Sequence, residues 1–149
     1  MRKEFVMRGK TASGGTEVLN FSGFKPGMAY KMTEFEIYPS EGIATTNQEL
    51  AAAVTAAKTA EDPSNPNFNN EGLIATALMT MTSGPNDSWN RWGCINDTFL
   101  ITQNLILSVV DTQAGSPAPV NWQCRFESVK MSGPEEAVTN YKQFAISDE

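Results

Sequence analysis

Apolar and polar residues alternate with period two through several stretches of this chain, and such alternation predicts β-strands with one buried face. The longest alternating stretch covers residues 97–111, where the apolar side chains occupy odd-numbered positions: Phe99, Ile101, Leu105, Leu107 and Val109. Residues 120–131 follow the same pattern, with Trp122 on the apolar face and Arg125 on the polar face. We therefore predict one strand over 97–111, with a kink at 102–104, and another over 120–131.

The N-terminal segment is predicted to form a β-hairpin. Residues 3–10 place Phe5 and Met7 on one face, and an apolar stretch resumes at 18–21. Between them, the Ser-Gly-Gly sequence at 13–15 supplies the small, flexible residues that tight hairpin turns require.

Residues 28–38 form a long alternating segment in which the pattern shifts by one position. The shift falls near Thr33, after which Phe35 and Ile37 carry the apolar face. A single strand with a β-bulge accounts for the shift, because a bulge inserts one extra residue. Two shorter strands account for it equally well.

The alanine-rich segment 48–60 is compatible with either a helix or a strand. Its alanine content favours a helix, but Leu50, Ala52, Val54 and Ala56 also alternate with period two. Predicted strands lie on both sides, including a buried one at 73–81, so we favour a strand. Its small residues suit close packing against another sheet or another subunit.

Two segments rich in turn-forming residues are predicted to be loops. Residues 61–72 contain two prolines and four asparagines around a single aromatic residue, Phe68, and are expected to form a long surface loop. Residues 82–90 are expected to form a second loop, which ends at the aromatic pair Trp89 and Trp92.

One short C-terminal helix is predicted after these strands. Ser132 stands at the N-cap, Pro134 in the first turn and Glu135 at the third position, and Ala137, Tyr141 and Phe144 follow at helical spacing. Seven to nine short strands and one helix favour an all-β fold, a two-sheet antiparallel sandwich resembling a jelly roll. The length of 149 residues fits a single β-sandwich domain over 1–149.

Composition narrows the classes of function. The 17 Asp and Glu outnumber the 11 Lys and Arg, so free nucleic acid is not an expected partner. No apolar stretch is long enough to span a membrane, so we expect no membrane partner. The chain has no histidine, which removes the commonest general base and zinc ligand, so we predict no enzyme activity and no cofactor. The remaining carboxylate pair, Glu34 and Glu36, is expected to be the solvated side of a strand.

The two cysteines, Cys94 and Cys124, are 30 residues apart and match no metal-binding or redox spacing. Each lies in an apolar segment, so we predict two buried free thiols, with a disulfide as the alternative.

Two groups of residues are candidates for binding. Trp89, Arg91 and Trp92 combine the residue types of protein-interface hot spots, and we favour this role over stacking on a sugar ring. A structural role, in which one Trp closes the end of the sandwich, is the other alternative. A set of oxygen-bearing side chains in the 61–72 loop resembles the ligands that calcium accepts, although its spacing departs from the calcium-loop consensus: Asp62, Asn65, Asn67, Asn69 and Glu71. Asn and Asp also stabilise turns without any ion.

A charged strand near residue 1, Asn/Pro-rich loops, the strand blocks at 96–103 and 120–126 and the lack of a catalytic set resemble the small β-sandwich structural proteins of bacteriophage particles. The resemblance implies a decoration, knob or minor capsid subunit, made in the host cytoplasm and located in the virion. Such a subunit would bind copies of itself, with a trimer favoured, and a capsid shell protein. The resemblance carries over no functional residue, because these proteins share architecture and no site.

The alternative function is a glycan-binding β-sandwich module. In that case Trp89, Trp92 and Tyr38 would stack on sugars, and the Asx-rich loop would hold calcium.

Overall fold

Eight β-strands lie in the part of the chain that the computed structural model describes, residues 3–21, 27–40, 47–82, 88–112 and 117–139. In chain order the strands are β1 (Glu4–Thr11), β2 (Thr16–Leu19), β3 (Met28–Pro39), β4 (Gln48–Thr55), β5 (Leu73–Thr82), β6 (Ser88–Ile95), β7 (Leu105–Asp111) and β8 (Val120–Lys130). They form two antiparallel sheets, one in the order β1-β8-β3 and the other in the order β2-β7-β4-β5-β6. The predicted two-sheet sandwich is confirmed.

The strand order follows the jelly-roll arrangement except at β6. A jelly roll places β1-β8-β3-β6 in one sheet and β2-β7-β4-β5 in the other. Here β6 pairs with β5, from Ala75 opposite Ile95 to Thr82 opposite Ser88. β6 nevertheless lies near β3, as shown by the 3.6 Å distance between Arg91 of β6 and the carboxylate of Glu36 on β3. The seam between the two sheets therefore runs between β3 and β6.

The core lies between the sheets and is built from the alternating apolar residues that the sequence pattern predicted. Trp122, Cys124 and Phe126 of β8 are buried in the same core cluster as Leu105 and Leu107 of β7. At one end four aromatic rings pack with centroids between 5.0 and 6.2 Å apart: Phe5, Phe21, Tyr30 and Phe126.

The predicted N-terminal hairpin is wrong, since β1 pairs with β8 and β2 pairs with β7. The turn itself forms, with Gly14 at a φ of 81° that favours glycine. Its backbone is tied to β7, however: the Gly14 N–H donates to Val109 O (2.9 Å) and the Val109 N–H donates to Gly15 O (3.2 Å). The turn thus carries the chain from one sheet to the other.

β3 is one continuous strand with a bulge, which resolves the alternative left open by its shifted pattern. Its register with β8 moves by one residue between Met32 and Glu34. The extra residue, Thr33, donates its hydroxyl to Arg125 O at 3.3 Å. Phe35 and Ile37 consequently return to the core side.

The alanine-rich segment is the strand β4 as far as Thr55, and β5 confirms the buried strand predicted next to it. Leu50 and Val54 face the core, while Ala51 and Ala53 are buried on the opposite side of the sheet. The chain buries that side itself, because the predicted long loop, which lacks strand and helix from residue 56 to 72, folds over it.

Two strand boundaries differ from the prediction. Only residues 105–111 of the stretch 97–111 form a strand, because Asn96 begins a turn by accepting the N–H and hydroxyl of Thr98. Ile101 then bridges Tyr30 in the three-stranded sheet before β7 joins the other sheet, so the chain crosses between sheets near the predicted kink. The predicted loop 82–90 is also wrong at its end, since β6 begins at Ser88 and pairs along β5; residues 83–87 lie outside the described residues.

The predicted helix begins after Ser132 and occupies residues 133–139 of the described chain. The Glu135 N–H donates to Ser132 Oγ at 3.3 Å, and that hydroxyl donates to Glu135 Oε1 at 3.2 Å, so the cap is formed as predicted. Tyr141 and Phe144 lie outside the described residues. No helix within the described ranges is long and apolar enough to cross a membrane.

Both cysteines are free thiols, but only Cys124 is buried. The expectation that Cys94 is buried is wrong, because it lies on the outer face of β6, opposite Thr76 of β5. The burial of Cys124 raises the pKa of its thiol to about 12.

Candidate functional site

The three predicted contact residues Trp89, Arg91 and Trp92 all belong to β6, which is an edge strand of the five-stranded sheet. Trp92 pairs with Leu78, Arg91 with Met79, and the backbone of Trp89 with Met81. Successive side chains of a strand point to opposite faces of the sheet, so those of Arg91 and Trp92 lie on different surfaces. The side chain of Trp89 lies outside the described residues.

Trp92 lines an apolar groove on the outer face of the five-stranded sheet. Its side chain is 55% exposed, and it stands beside Leu78 (43% exposed) and Phe68 of the long loop (66% exposed). These residues, with Pro63 and Pro66 of the loop, border a volume of about 420 Å³. We call this feature, defined by Phe68, Leu78 and Trp92, the aromatic groove.

The long loop that forms one wall of the groove is held by Glu61. Its carboxylate accepts the N–H of Asn67 at 2.6 Å and the side-chain amide of Asn70 at 2.9 Å. Its backbone carbonyl accepts the hydroxyl of Ser108 on β7 at 2.6 Å, which ties the loop to the sheet. Glu61 was not among the residues singled out from the sequence, since its partners are defined only by the folded path of the loop.

Two of the five side chains proposed for calcium, those of Asp62 and Asn67, accept hydrogen bonds in turns of the same loop. Asp62 Oδ1 accepts both the hydroxyl (2.7 Å) and the N–H (3.0 Å) of Ser64, and Asn67 Oδ1 accepts the N–H of Asn69. These hydrogen bonds from Ser64, the hydroxyl first, lower the pKa of Asp62. Among the described residues, no three His, Cys, Asp or Glu side chains lie close enough together to hold a metal ion.

A second hollow of about 380 Å³ adjoins the aromatic groove on the other side of Phe68. Cys94 and Thr76 line both spaces, and Glu71 lines the second. One exposed carboxylate, that of Glu49, lines the aromatic groove, and that of Glu71 lines the second hollow. Exposed Asp62 directly precedes Pro63 of the groove.

A polar hollow of about 580 Å³ lies on the outer face of the three-stranded sheet. Strand register places Arg8, Gln123 and Glu36 in one row across the sheet, and Lys10, Asn121 and Tyr38 in the next. Arg91 reaches this hollow from β6 and forms its ion pair with Glu36 there. We call it the basic hollow, since it holds three cationic side chains and one carboxylate. Sequence reasoning missed Arg8 and Lys10, which are 83 and 81 positions from Arg91 in the chain.

The carboxylate pair Glu34 and Glu36 lies on the exposed face of β3, as its alternation with apolar residues predicted. Glu34 forms an ion pair with Arg125 at 3.3 Å, and Glu36 forms one with Arg91 at 3.6 Å.

No protein-family model matches this chain, and no curated protein resembles it significantly. The geometry of the two surfaces therefore has to carry any functional conclusion.

Proposed function

We propose that this protein is a non-enzymatic structural subunit of a virus particle, a decoration, knob or minor capsid protein that associates with copies of itself and with a shell protein. The observation that carries the proposal is the aromatic groove, an exposed apolar surface on the outside of a sandwich whose strand order follows the jelly roll except at β6. Jelly rolls are frequent in viral capsid and lectin domains.

The composition of the groove favours a macromolecular partner. Trp92, Phe68 and Leu78 are each more than two-fifths exposed, and they lie together on one face. Exposed apolar groups that cluster in this way mark interaction sites more often than isolated ones do. Tryptophan is also enriched among the residues that contribute most to binding.

The chemistry available on the described surface supports a role without catalysis. The chain has no histidine, and the carboxylates Glu34 and Glu36 are exposed and ion-paired. Exposed carboxylates that form surface ion pairs are typical of the solvated side of a strand.

The mass of the native protein tests the proposal, measured by light scattering over a range of concentrations, with calcium and with chelator. We expect a discrete oligomer, with a trimer favoured, whose mass does not depend on calcium. Mass spectrometry of density-purified particles from the source of the sequence should also detect the chain. A strict monomer that is absent from such particles would refute the proposal.

The exposed indole of Trp92 supports glycan binding as the second candidate. The structure changes its predicted form, since Tyr38 lies in the basic hollow on the other sheet and cannot share a stacking surface with Trp92. A sugar in the groove would contact Trp92 and Phe68. This candidate predicts a monomer that binds polysaccharide and loses affinity when calcium is removed.

A further inference from the structure

The two surfaces of the described structure carry opposite charge. Glu49 lines the aromatic groove, Glu71 lines the hollow beside it, and Asp62 directly precedes Pro63 of the groove; all three carboxylates are exposed. The basic hollow, by contrast, combines Arg8, Lys10 and Arg91 with the single carboxylate of Glu36. In a chain with a formal net charge of −6, this hollow is a local excess of positive charge.

The basic hollow also contains an aromatic side chain able to enter an apolar groove. Tyr38 is 53% exposed at the end of β3, and it lies in the same row as Lys10. Tyrosine and arginine are enriched among the residues that dominate protein interfaces, and an aromatic side chain buries roughly 150–250 Å². One surface thus offers an aromatic group among three cationic side chains, and the other offers an apolar groove with Glu49 in its lining and Glu71 in the hollow beside it.

We propose that the aromatic groove of one copy of this protein receives the Tyr38 end of a second copy, with Arg8 and Lys10 placed against the carboxylates of Glu49, Asp62 and Glu71. The proposal rests on the proposed function, because it takes self-association as given and assigns the surfaces that perform it.

A second copy is the occupant because each surface finds its complement on the same chain. Opposite charges across an interface guide association and reject wrongly oriented partners. Contact between two different patches also lets each copy bind further copies, which closes into a ring when the rotation permits. Both surfaces adjoin β6, which in the described structure is paired with another strand on one side only. Trp92 of β6 lines the aromatic groove, and Arg91 lines the basic hollow.

The first test compares truncation of Trp92 with a matched control on the same sheet. Trp92→Ala should raise the dissociation constant between copies at least tenfold, measured by analytical ultracentrifugation. Val18→Ala is the control, because Val18 is 63% exposed on β2, at the opposite edge of the sheet, and should change the constant less than twofold. Circular dichroism of each variant checks that the fold is retained.

The second test exchanges charge between the two surfaces. The double variant Arg8→Glu/Lys10→Glu and the double variant Glu49→Lys/Asp62→Lys should each associate at least tenfold more weakly with themselves than the natural chain does. An equimolar mixture should associate again, because the reversed hollow of one variant meets the reversed groove of the other. Lys130→Glu serves as the charge control, since Lys130 is seven residues along β8 from Gln123 in the hollow, roughly 23 Å in a strand.

The outcomes separate this inference from the proposed function. An oligomer that persists in Trp92→Ala, or a charge-exchanged mixture that associates no better than its components, overturns the assignment of the surfaces and leaves the proposed function standing. A natural chain that is monomeric at every concentration overturns both. A monomer whose tryptophan fluorescence responds to polysaccharide, with the response lost in Trp92→Ala, would assign the groove to a glycan.

Discussion

Replacement of Gly9 by alanine tests the packing at the centre of the three-stranded sheet. A Cβ atom at Gly9 would lie 2.8 Å from Cζ2 and 3.1 Å from Cε2 of Trp122, which pairs with it across β1 and β8. The indole is 8% exposed, and its N–H donates to the hydroxyl of Thr11 at 3.0 Å. The ring therefore cannot move away from a new methyl group without losing that hydrogen bond or disturbing the core.

Two opposing effects set the expected magnitude. Overpacking a well-filled core costs about 1–3 kcal/mol. Replacing glycine in a strand by alanine would by itself stabilise the protein by about 0.5–1 kcal/mol, because the unfolded chain loses freedom. We therefore expect a net loss of about 1–2 kcal/mol, which lowers Tm by roughly 2–8 °C in a chain of this size.

Urea unfolding followed by far-UV circular dichroism measures the change in the free energy of unfolding. Gly133→Ala is the matched control, because no atom lies within 4 Å of a Cβ built there, and this substitution should be neutral or slightly stabilising. In a Trp122→Phe background, which lacks the clashing ring atoms, the penalty of Gly9→Ala should fall by about 1 kcal/mol. If Gly9→Ala changes the free energy of unfolding no more than Gly133→Ala does, the inference that Trp122 packs closely on β1 is wrong.

Three further predictions concern other parts of the fold. Asp111→Ala should destabilise the protein by about 2–4 kcal/mol, because the buried carboxylate of Asp111 accepts the N–H groups of Glu49 (3.2 Å) and Ala118 (2.9 Å). Asp111→Asn should lose less stability, and equal losses of the two variants in urea unfolding would contradict this prediction. In the folded protein a thiol reagent should modify exposed Cys94 and spare buried Cys124. Because the pKa of the Cys124 thiol is raised to about 12, its contribution to the free energy of unfolding should be fully present below pH 9.0 and decline as pH rises towards about 12. A Cys124→Ala variant should lack this alkaline decline. Ser132→Ala should lower the free energy of unfolding by about 1 kcal/mol through loss of the helix cap, whereas Ser132→Asp should preserve it. Equal unfolding midpoints for the two variants would show that the cap contributes nothing.

Much of the fold could be predicted because it depends on local periodicity. The alternation in residues 120–126 identified the buried face of β8, and the phase shift near Thr33 located the bulge in β3. The cap at Ser132 was also predictable, since its partner Glu135 is three residues away. In each case the determining residues are neighbours in sequence.

The errors occurred where the pairing partner is distant in sequence. Nothing near Ser13 and Gly14 shows that the first turn pairs with β7, whose residues lie almost a hundred positions away. Periodicity in 97–111 survives as a row of buried side chains, but the strand is interrupted because Ile101 joins one sheet and Leu105 the other. The alternation of apolar and polar residues predicts which side chains are buried, but it does not predict to which sheet each segment belongs.

The candidate surfaces show the same division. The amino-acid pattern alone predicted the loop at residues 61–72 and marked Trp92 and Arg91 as candidates for binding, and the chain contains no histidine. The folded chain was needed to show that Trp92 meets Leu78 and Phe68 in one groove, whereas Arg91 joins Arg8 and Lys10 on the other sheet. The physical reason is that a strand's two faces follow from its own residues, whereas its neighbours are selected by the packing of the whole sandwich.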